Sequence, residues 1–331
     1  MALLEIRDLR KYFPVRSGLL GGAREHVKAI NGVSLDVDDG ETVGLVGESG
    51  CGKTSLGRCV VRLIEPTGGT VTFQDQELSS LSGPAMREVR RKLQMIFQDP
   101  YASLNPRMRV GEIIGEGLRI HRLAKGRELR QRDMDLLARV GLRAEYYSRY
   151  PHEFSGGQRQ RIGIARALAV DAKFIVCDEA VSALDVSIQA QILNMLLDLQ
   201  QDLGLTFLFI SHDLRVVEHV SNRVAVMYLG KIVELTDRKS LYENPLHPYT
   251  KALLSAIPVP DPVVEEHRQR ILLEGDLPSP AHPPVGCNFN TRCPLAVEQC
   301  YQEEPPYIEV EPSHFCACHL VQPGAAYEGW T

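Results

Sequence analysis

No stretch of this chain is apolar for long enough to cross a bilayer. The most apolar runs, at 174–177 and 205–210, are far shorter than the roughly 20 residues that a spanning helix requires. A basic excess is also missing: 37 Lys plus Arg stand against 42 Asp plus Glu, a formal net charge of -5. That balance argues against a general nucleic-acid binder. The opening MALLEIRDLRKYF soon turns charged and lacks the long apolar core of a signal peptide. The protein is therefore expected in the cytoplasm, with any membrane contact made through a partner. Neither an internal repeat nor a heptad run is found. Cysteine is sparse through the first two thirds, where only Cys51, Cys59 and Cys177 occur. The other five, Cys287, Cys293, Cys300, Cys316 and Cys318, crowd into the tail. In a reducing cytosol such a cluster reads as a metal site rather than a disulfide framework.

What is present is ordinary for a soluble protein that can bury a sizeable core: 44% hydrophobic and 24% charged residues. Residues 43–46 form a short apolar strand that runs into GESGCGKT, and 55–63 then read as a helix. KFIVC at 173–177 is a continuous apolar run bounded by charge, as expected of a parallel strand buried on both faces. After Ser187, apolar residues Ile188, Ile192, Leu196, Leu199 and Leu203 recur at helical spacing until Gly204, and 206–210 is the next buried strand. Alternating helices and buried strands indicate an α/β domain. Between 100 and 169 the sequence is rich in Arg, Leu and Glu without a convincing strand, a helical insert. After about Asp237 prolines accumulate and the α/β rhythm ends. The domains expected are 1–237, with the helical insert at 100–169, and an extension over 238–331.

Gly47, Glu48, Ser49, Gly50, Cys51, Gly52, Lys53 and Thr54 match G-x-x-x-x-G-K-[ST] between a strand and a helix, the context that confirms a phosphate loop. Its glycines let backbone N–H groups approach phosphate oxygens, and the helix aims its positive end at the same anion. Lys53 is placed to bridge β- and γ-phosphates and the Thr54 hydroxyl to hold Mg²⁺. The strand ending in VCDE supplies Asp178, to bind Mg²⁺ through water, and Glu179, to polarise the attacking water. Ser155, Gly156, Gly157 and Gln158 open the helix 159–168 and leave backbone donors bare at its start. One γ-phosphate seldom needs two such ends from one subunit, so this second end is read as facing another subunit's nucleotide. A plain helix cap, which Ser155 also supplies, is the bland alternative.

Over roughly residues 3–237 the sequence resembles the ABC ATPases. The resemblance rests on GESGCGKT, on Gln98 in FQDP, on FSGGQ (with Phe154 where Leu is commoner), on VCDE, on SALD ending at Asp185, and on His212 in ISHD. It implies a P-loop, RecA-like ABC core with a helical subdomain and a small cysteine-rich C-terminal extension. It also implies that Gln98 senses Mg²⁺ and water while signalling to a permease. Asp185 would lie at a dimer seam, His212 would contact the γ-phosphate, and Tyr12, with Phe13, would stack on adenine. Long coiled coils of the chromosome-associated relatives are absent, and so is the second ATPase unit of the translation-linked ones. An intact Glu179, His212 and signature weigh against a non-hydrolysing regulatory module.

QDPYASLNPR, NPLHPYTKALLSAIP at 244–258 and GCNFNTRCP at 286–294 resemble the oligopeptide/dipeptide importers within that family. The resemblance implies a second, related ATPase as partner, two transmembrane permease subunits and, indirectly, an extracytoplasmic substrate-binding protein. It places the chain peripherally at the cytoplasmic face of the inner membrane and makes peptide the cargo, with nickel or another small solute as the alternative. The turn at 100–109 would dock the permease. In the tail, Cys287, Cys293 and Cys300 follow the spacing C-x₅-C-x₆-C, and Cys318 lies further on. Four thiolates from irregular backbone suit a cubane cluster or tetrahedral zinc, and spacing does not choose between them. The resemblance adds weight to [4Fe–4S] on Cys287, Cys293, Cys300 and Cys318, with Cys316 an extra thiol. Such a cluster would pin a proline-rich tail too poor in apolar periodicity to pack well unaided.

Overall fold

The computed structural model describes residues 2–15, 25–258 and 270–323. The chain divides into two compact units, one of Met1–Leu4, Val37–Thr42 and Phe73–Ser211, the other of Glu5–Asp36, Val43–Thr72 and His212–Thr331.

In the first unit, strand Phe174–Asp178 lies between Leu93–Ile96 and Thr206–Ile210, parallel to both. Every residue of Phe174–Asp178 and Thr206–Ile210 is buried, which is why these segments are continuous apolar runs rather than alternating ones. The next helix, Val186–Leu203, begins where the Asp185 carboxylate accepts the Ile188 N–H at 3.0 Å and ends at Gly204 in the left-handed conformation. Between 100 and 169 the chain builds only helices, among them Gly126–Arg139 and Gly156–Leu168. Asp133, on Gly126–Arg139, is fully buried there.

In the second unit, Val43–Val46 runs parallel to Arg223–Tyr228, which is antiparallel to Lys231–Asp237. The helix after the phosphate loop is shorter and earlier than its apolar residues suggest: it spans Lys53–Val60. Arg62, at φ 53°, breaks it, and Leu63 is left exposed. A second sheet holds the long strand Ala2–Val15 between Glu25–Asp38 and Gly68–Phe73.

The tail packs better than its sequence suggests. His314–Cys316 adds an antiparallel strand to Lys231–Asp237, and Ile308–Glu311 pairs with His314–Cys316 in turn. Leu246, Val310, Cys316 and Val321 form a small buried apolar cluster with Ile308 and Cys318 against it. Cys316 thus serves as a core residue. Glu234, fully buried, accepts from the N–H groups of Leu246 (2.7 Å) and His247 (2.9 Å) and lies 2.8 Å from His314 Nε2. A buried carboxylate is tolerable when its lone pairs are filled in this way. The tail's apolar groups are few, and strand addition and a bonded carboxylate supply what helical or strand periodicity lacks.

Candidate nucleotide site

The phosphate loop leaves strand Thr42–Val46 through Gly47 at φ 152° and enters its helix through Gly52 at φ 111°. At both positions a Cβ would collide with a backbone carbonyl, of Met227 at 2.2 Å and of Ala29 at 2.1 Å, so only glycine fits. Lys53 is buried, and its ammonium donates to the carbonyls of Gly47 (2.6 Å) and Glu48 (3.0 Å). The lysine is therefore folded over the loop it belongs to. Thr54 follows in the first turn of the helix, and the Cys51 thiol beside Lys53 is pushed up by burial. His212 is exposed and directly precedes Asp213, the N-cap of helix Leu214–Val220.

Two contacts to this loop come from residues that sequence reasoning did not single out. The Glu48 backbone N–H donates to the Tyr249 hydroxyl at 2.8 Å. The Glu48 carboxylate is gripped by both terminal nitrogens of Arg292, at 2.6 and 3.0 Å. The available signal was Arg292 itself, a lone cation within the cysteine-bounded CNFNTRC.

In the first unit, Asp178 ends its strand with the side chain buried, and Glu179 follows at φ 46° with its N–H bonded to the Ile210 carbonyl at 3.0 Å. The Gln98 amide donates to the Glu179 carboxylate at 2.7 Å. Two residues far apart in sequence are thus brought together at the strand end. Ser155 and Gln158 form a reciprocal cap: the Ser155 hydroxyl accepts the Gln158 N–H at 3.4 Å, and the Gln158 side chain accepts the Ser155 N–H at 3.1 Å. Gly157 is buried, and a Cβ there would sit 2.4 Å from an Ile188 methyl, whereas one on Gly156 would meet only Leu184 at 3.5 Å. This helix start opens on a groove of about 330 Å³ beside Arg143, Tyr146 and Arg161. Asp185 is exposed at its helix N-terminus, and its bond from the Ile188 N–H lowers its pKa.

Tyr12 is half-buried in its strand. Its hydroxyl donates to Asn31 at 2.6 Å, and the ring lines a cavity of about 610 Å³ with Asp8, Arg10 and Asn288. Phe13, next in the strand, carries the Lys11 ammonium over its ring at 5.0 Å.

Cys287 is pushed up to about 11 and Cys318 to about 12, chiefly by burial and in smaller part by the neighbouring thiols. Cys318 feels Cys287, Cys293 and Cys300 alike, so the four lie in one electrostatic neighbourhood. Among the described residues, however, no group of three or more His, Cys, Asp or Glu is arranged to hold a metal ion. The expected iron–sulfur or zinc site on Cys287, Cys293, Cys300 and Cys318 is not supported by that arrangement.

Residues 30–182 match the family described as ABC transporter, and residues 233–300 the one described as oligopeptide/dipeptide transporter, C-terminal region. The oligopeptide transport ATP-binding protein AppF of Bacillus subtilis (strain 168) is 56% identical over 319 residues, which cover 96% of this chain and 97% of that protein. The chain belongs to the ATP-binding proteins of oligopeptide ABC transporters. A putative peptide import ATP-binding protein of Brucella ovis in the same family is 55% identical over 316 residues, 96% of this chain and 97% of that protein. The dimeric, post-hydrolysis ATP-binding cassette MJ0796, bound to ADP and Pi, aligns with a TM-score of 0.63 and 26% identity over 71% of this chain and 98% of its own. As a family member the chain is an ABC-type ATPase whose ATP hydrolysis is coupled to transport. Among the described residues no helix is long and apolar enough to cross a membrane.

Proposed function

We propose that this chain is one of two related ATPase subunits that close on ATP at the cytoplasmic face of the inner membrane. Together they drive two permease subunits that import di- or oligopeptides delivered by an extracytoplasmic binding protein. The observation that carries the catalytic part is the 2.7 Å bond from Gln98 to Glu179, beside the buried Asp178. Glu179 is the water-polarising base, and Gln98 holds its carboxylate in position while reporting on the γ-phosphate. Lys53 exchanges its loop carbonyls for phosphate oxygens, and His212 contacts the γ-phosphate. Thr54, Gln98 and Asp178 would hold Mg²⁺, which when bound neutralises phosphate charge. The glycine-walled loop suits phosphate oxygens, and the buried Asp178 carboxylate suits a cation.

Ser155, Gly156, Gly157, Gln158 and Asp185 act on the partner's ATP. Support comes from the groove at the start of helix Gly156–Leu168, where the helix dipole and two arginines favour an anion. Tyr12, with Phe13, would stack on adenine; the Tyr12 hydroxyl bond to Asn31 leaves the ring face free for that role. The ATPase domain is read as 1–237, with its helical part at 100–169, and 238–331 as the importer-type extension. Cys287, Cys293, Cys300 and Cys318 would hold a [4Fe–4S] cluster or zinc. What supports it is the crowding of these cysteines into the tail, and iron, sulfide and zinc analysis of anaerobically purified protein decides it.

Phosphate release by the purified transporter complex should rise when the peptide-loaded binding protein is added. It should fall at least about 100-fold in Glu179→Gln while ATP binding survives, because the amide keeps the shape and loses the charge. Turnover persisting in that variant, with wild-type subunits excluded, overturns the assignment.

A further inference from the structure

The tail holds the phosphate loop at one residue, Glu48, in two ways. Its backbone N–H goes to Tyr249, a fully buried side chain, and its carboxylate to the fork of Arg292, whose side chain is only 7% exposed. The Arg292 guanidinium is held firmly protonated, first by Glu48 and then, against the cost of burial, by Tyr228.

Both partners are themselves braced. Tyr249 packs edge-on to Tyr228 with ring centroids 4.7 Å apart, and Phe289 packs on both, at 5.3 Å from Tyr228 and 5.5 Å from Tyr249. Arg292 follows Phe289 in one turn, its N–H bonded to the Phe289 carbonyl at 3.0 Å. That turn is tied down by Cys287 N–H to the Cys300 carbonyl (2.8 Å), and by the Asn290 amide to the carbonyls of Val285 (2.7 Å) and Cys300 (3.0 Å). Gly286, at φ 76°, passes so near the Cys300 carbonyl that a Cβ would lie 2.4 Å from it. A side chain held by a rigid turn fixes its partner's geometry more tightly than one on a free loop.

The chemistry of the loop gives this contact a purpose. Backbone donors and Lys53 favour a polyanion, whereas a carboxylate in the same loop repels one. A bidentate arginine cancels that carboxylate and also fixes its direction. We infer that Arg292 and Tyr249 are positioning residues for nucleotide binding, a clasp from the C-terminal extension that neutralises Glu48 and presets the phosphate loop for a nucleoside triphosphate. The inference rests on reading residues 47–54 as the loop that receives ATP.

The test measures ATP affinity and steady-state turnover in the full chain. Arg292→Met should weaken ATP binding about tenfold, the scale of a lost charge-assisted pair, with kcat at saturating ATP little changed. Adding Glu48→Gln to that variant should recover most of the affinity, because it removes the charge left unpaired. A purely structural role for Arg292 would lower the melting temperature without that recovery. Should Arg292→Met fail to fold, Arg292→Lys keeps the charge but not the fork, and a roughly threefold loss relieved by Glu48→Gln is expected. Affinity within twofold of wild type in the folded variant, or a loss that Glu48→Gln does not relieve, overturns the clasp. Lys53→Ala separates the two readings. If it abolishes binding while the Arg292 variants bind normally, only the clasp fails; if it binds ATP as the wild type does, the loop assignment itself fails.

Discussion

Gly156 and Gly157 are adjacent and alike in sequence, yet they differ in what surrounds them. Gly157 is closed in by Ile188 of the same chain, so a carboxylate there would disturb the helix packing before any second subunit arrived. Gly156 has room. Gly156→Asp should therefore leave the isolated subunit folded, with ATP affinity unchanged, while lowering turnover of the assembled transporter at least about tenfold through repulsion at the partner's γ-phosphate. A fluorescent-nucleotide titration of the single subunit, set beside phosphate release by the complex, checks both halves. At this scale the motifs were readable because phosphate chemistry restricts residue type: glycine where a carbonyl crowds the loop, a carboxylate at a buried strand end. The Tyr12 bond to Asn31 was not legible, since the two residues lie on different strands with no local pattern joining them.

Helix Gly126–Arg139 carries the plainest mismatch between a residue and its surroundings. Asp133 is buried, one of its oxygens has no hydrogen-bond partner, and burial raises its pKa to about 6 despite a 3.4 Å bond from Tyr147 and the nearby Arg119. The folded state then binds a proton that the unfolded state releases near pH 4. Stability from this group is greatest at low pH, declines as pH rises toward 6, and is flat above. Asp133→Asn should raise the melting temperature at pH 7.5 by on the order of 2–4 °C, with the advantage shrinking between pH 6 and 4. Thermal unfolding across that range measures it. Strands buried on both faces were legible as elements because each is a continuous apolar run with charged flanks. The long strand Ala2–Val15 was not. Its buried residues, Leu3, Leu4, Ile6 and Leu9, break the two-residue period, and Asp8 at φ 45° interrupts the pleat where the pattern shifts. The tail strand His314–Cys316 is too short to show any period.

At the scale of the whole molecule, the proposed step from nucleotide to permease would pass through the turn after Gln98. Tyr101 is exposed, with the buried Arg159 guanidinium 3.6 Å from its ring centre. Arg166, further along the same signature helix, donates to the Ser103 carbonyl at 2.6 Å. The turn and the helix that would face the partner's ATP thus share two arginine contacts, which on the proposed function would let them shift together. A photo-reactive residue at Tyr101 should cross-link to a permease subunit in native membranes. Leu104 in the same turn is buried and should not. Capture at neither position, in a complex that still hydrolyses ATP, counts against docking by this turn. These two arginine contacts could not be foreseen, since each spans dozens of residues without a local pattern.

The strand that the tail lays along Lys231–Asp237 has a further consequence. A chain ended at 237 would keep every nucleotide motif, yet it would bare the outer backbone of Lys231–Asp237 and leave Glu234 without Leu246, His247 and His314. Open N–H and C=O groups along a strand that is otherwise largely buried form a template on which another copy can pair. Such a truncated protein should come off a sizing column as aggregates, with light scattering that grows with concentration. The extension would then count among the features that keep this ATPase from adhering to itself.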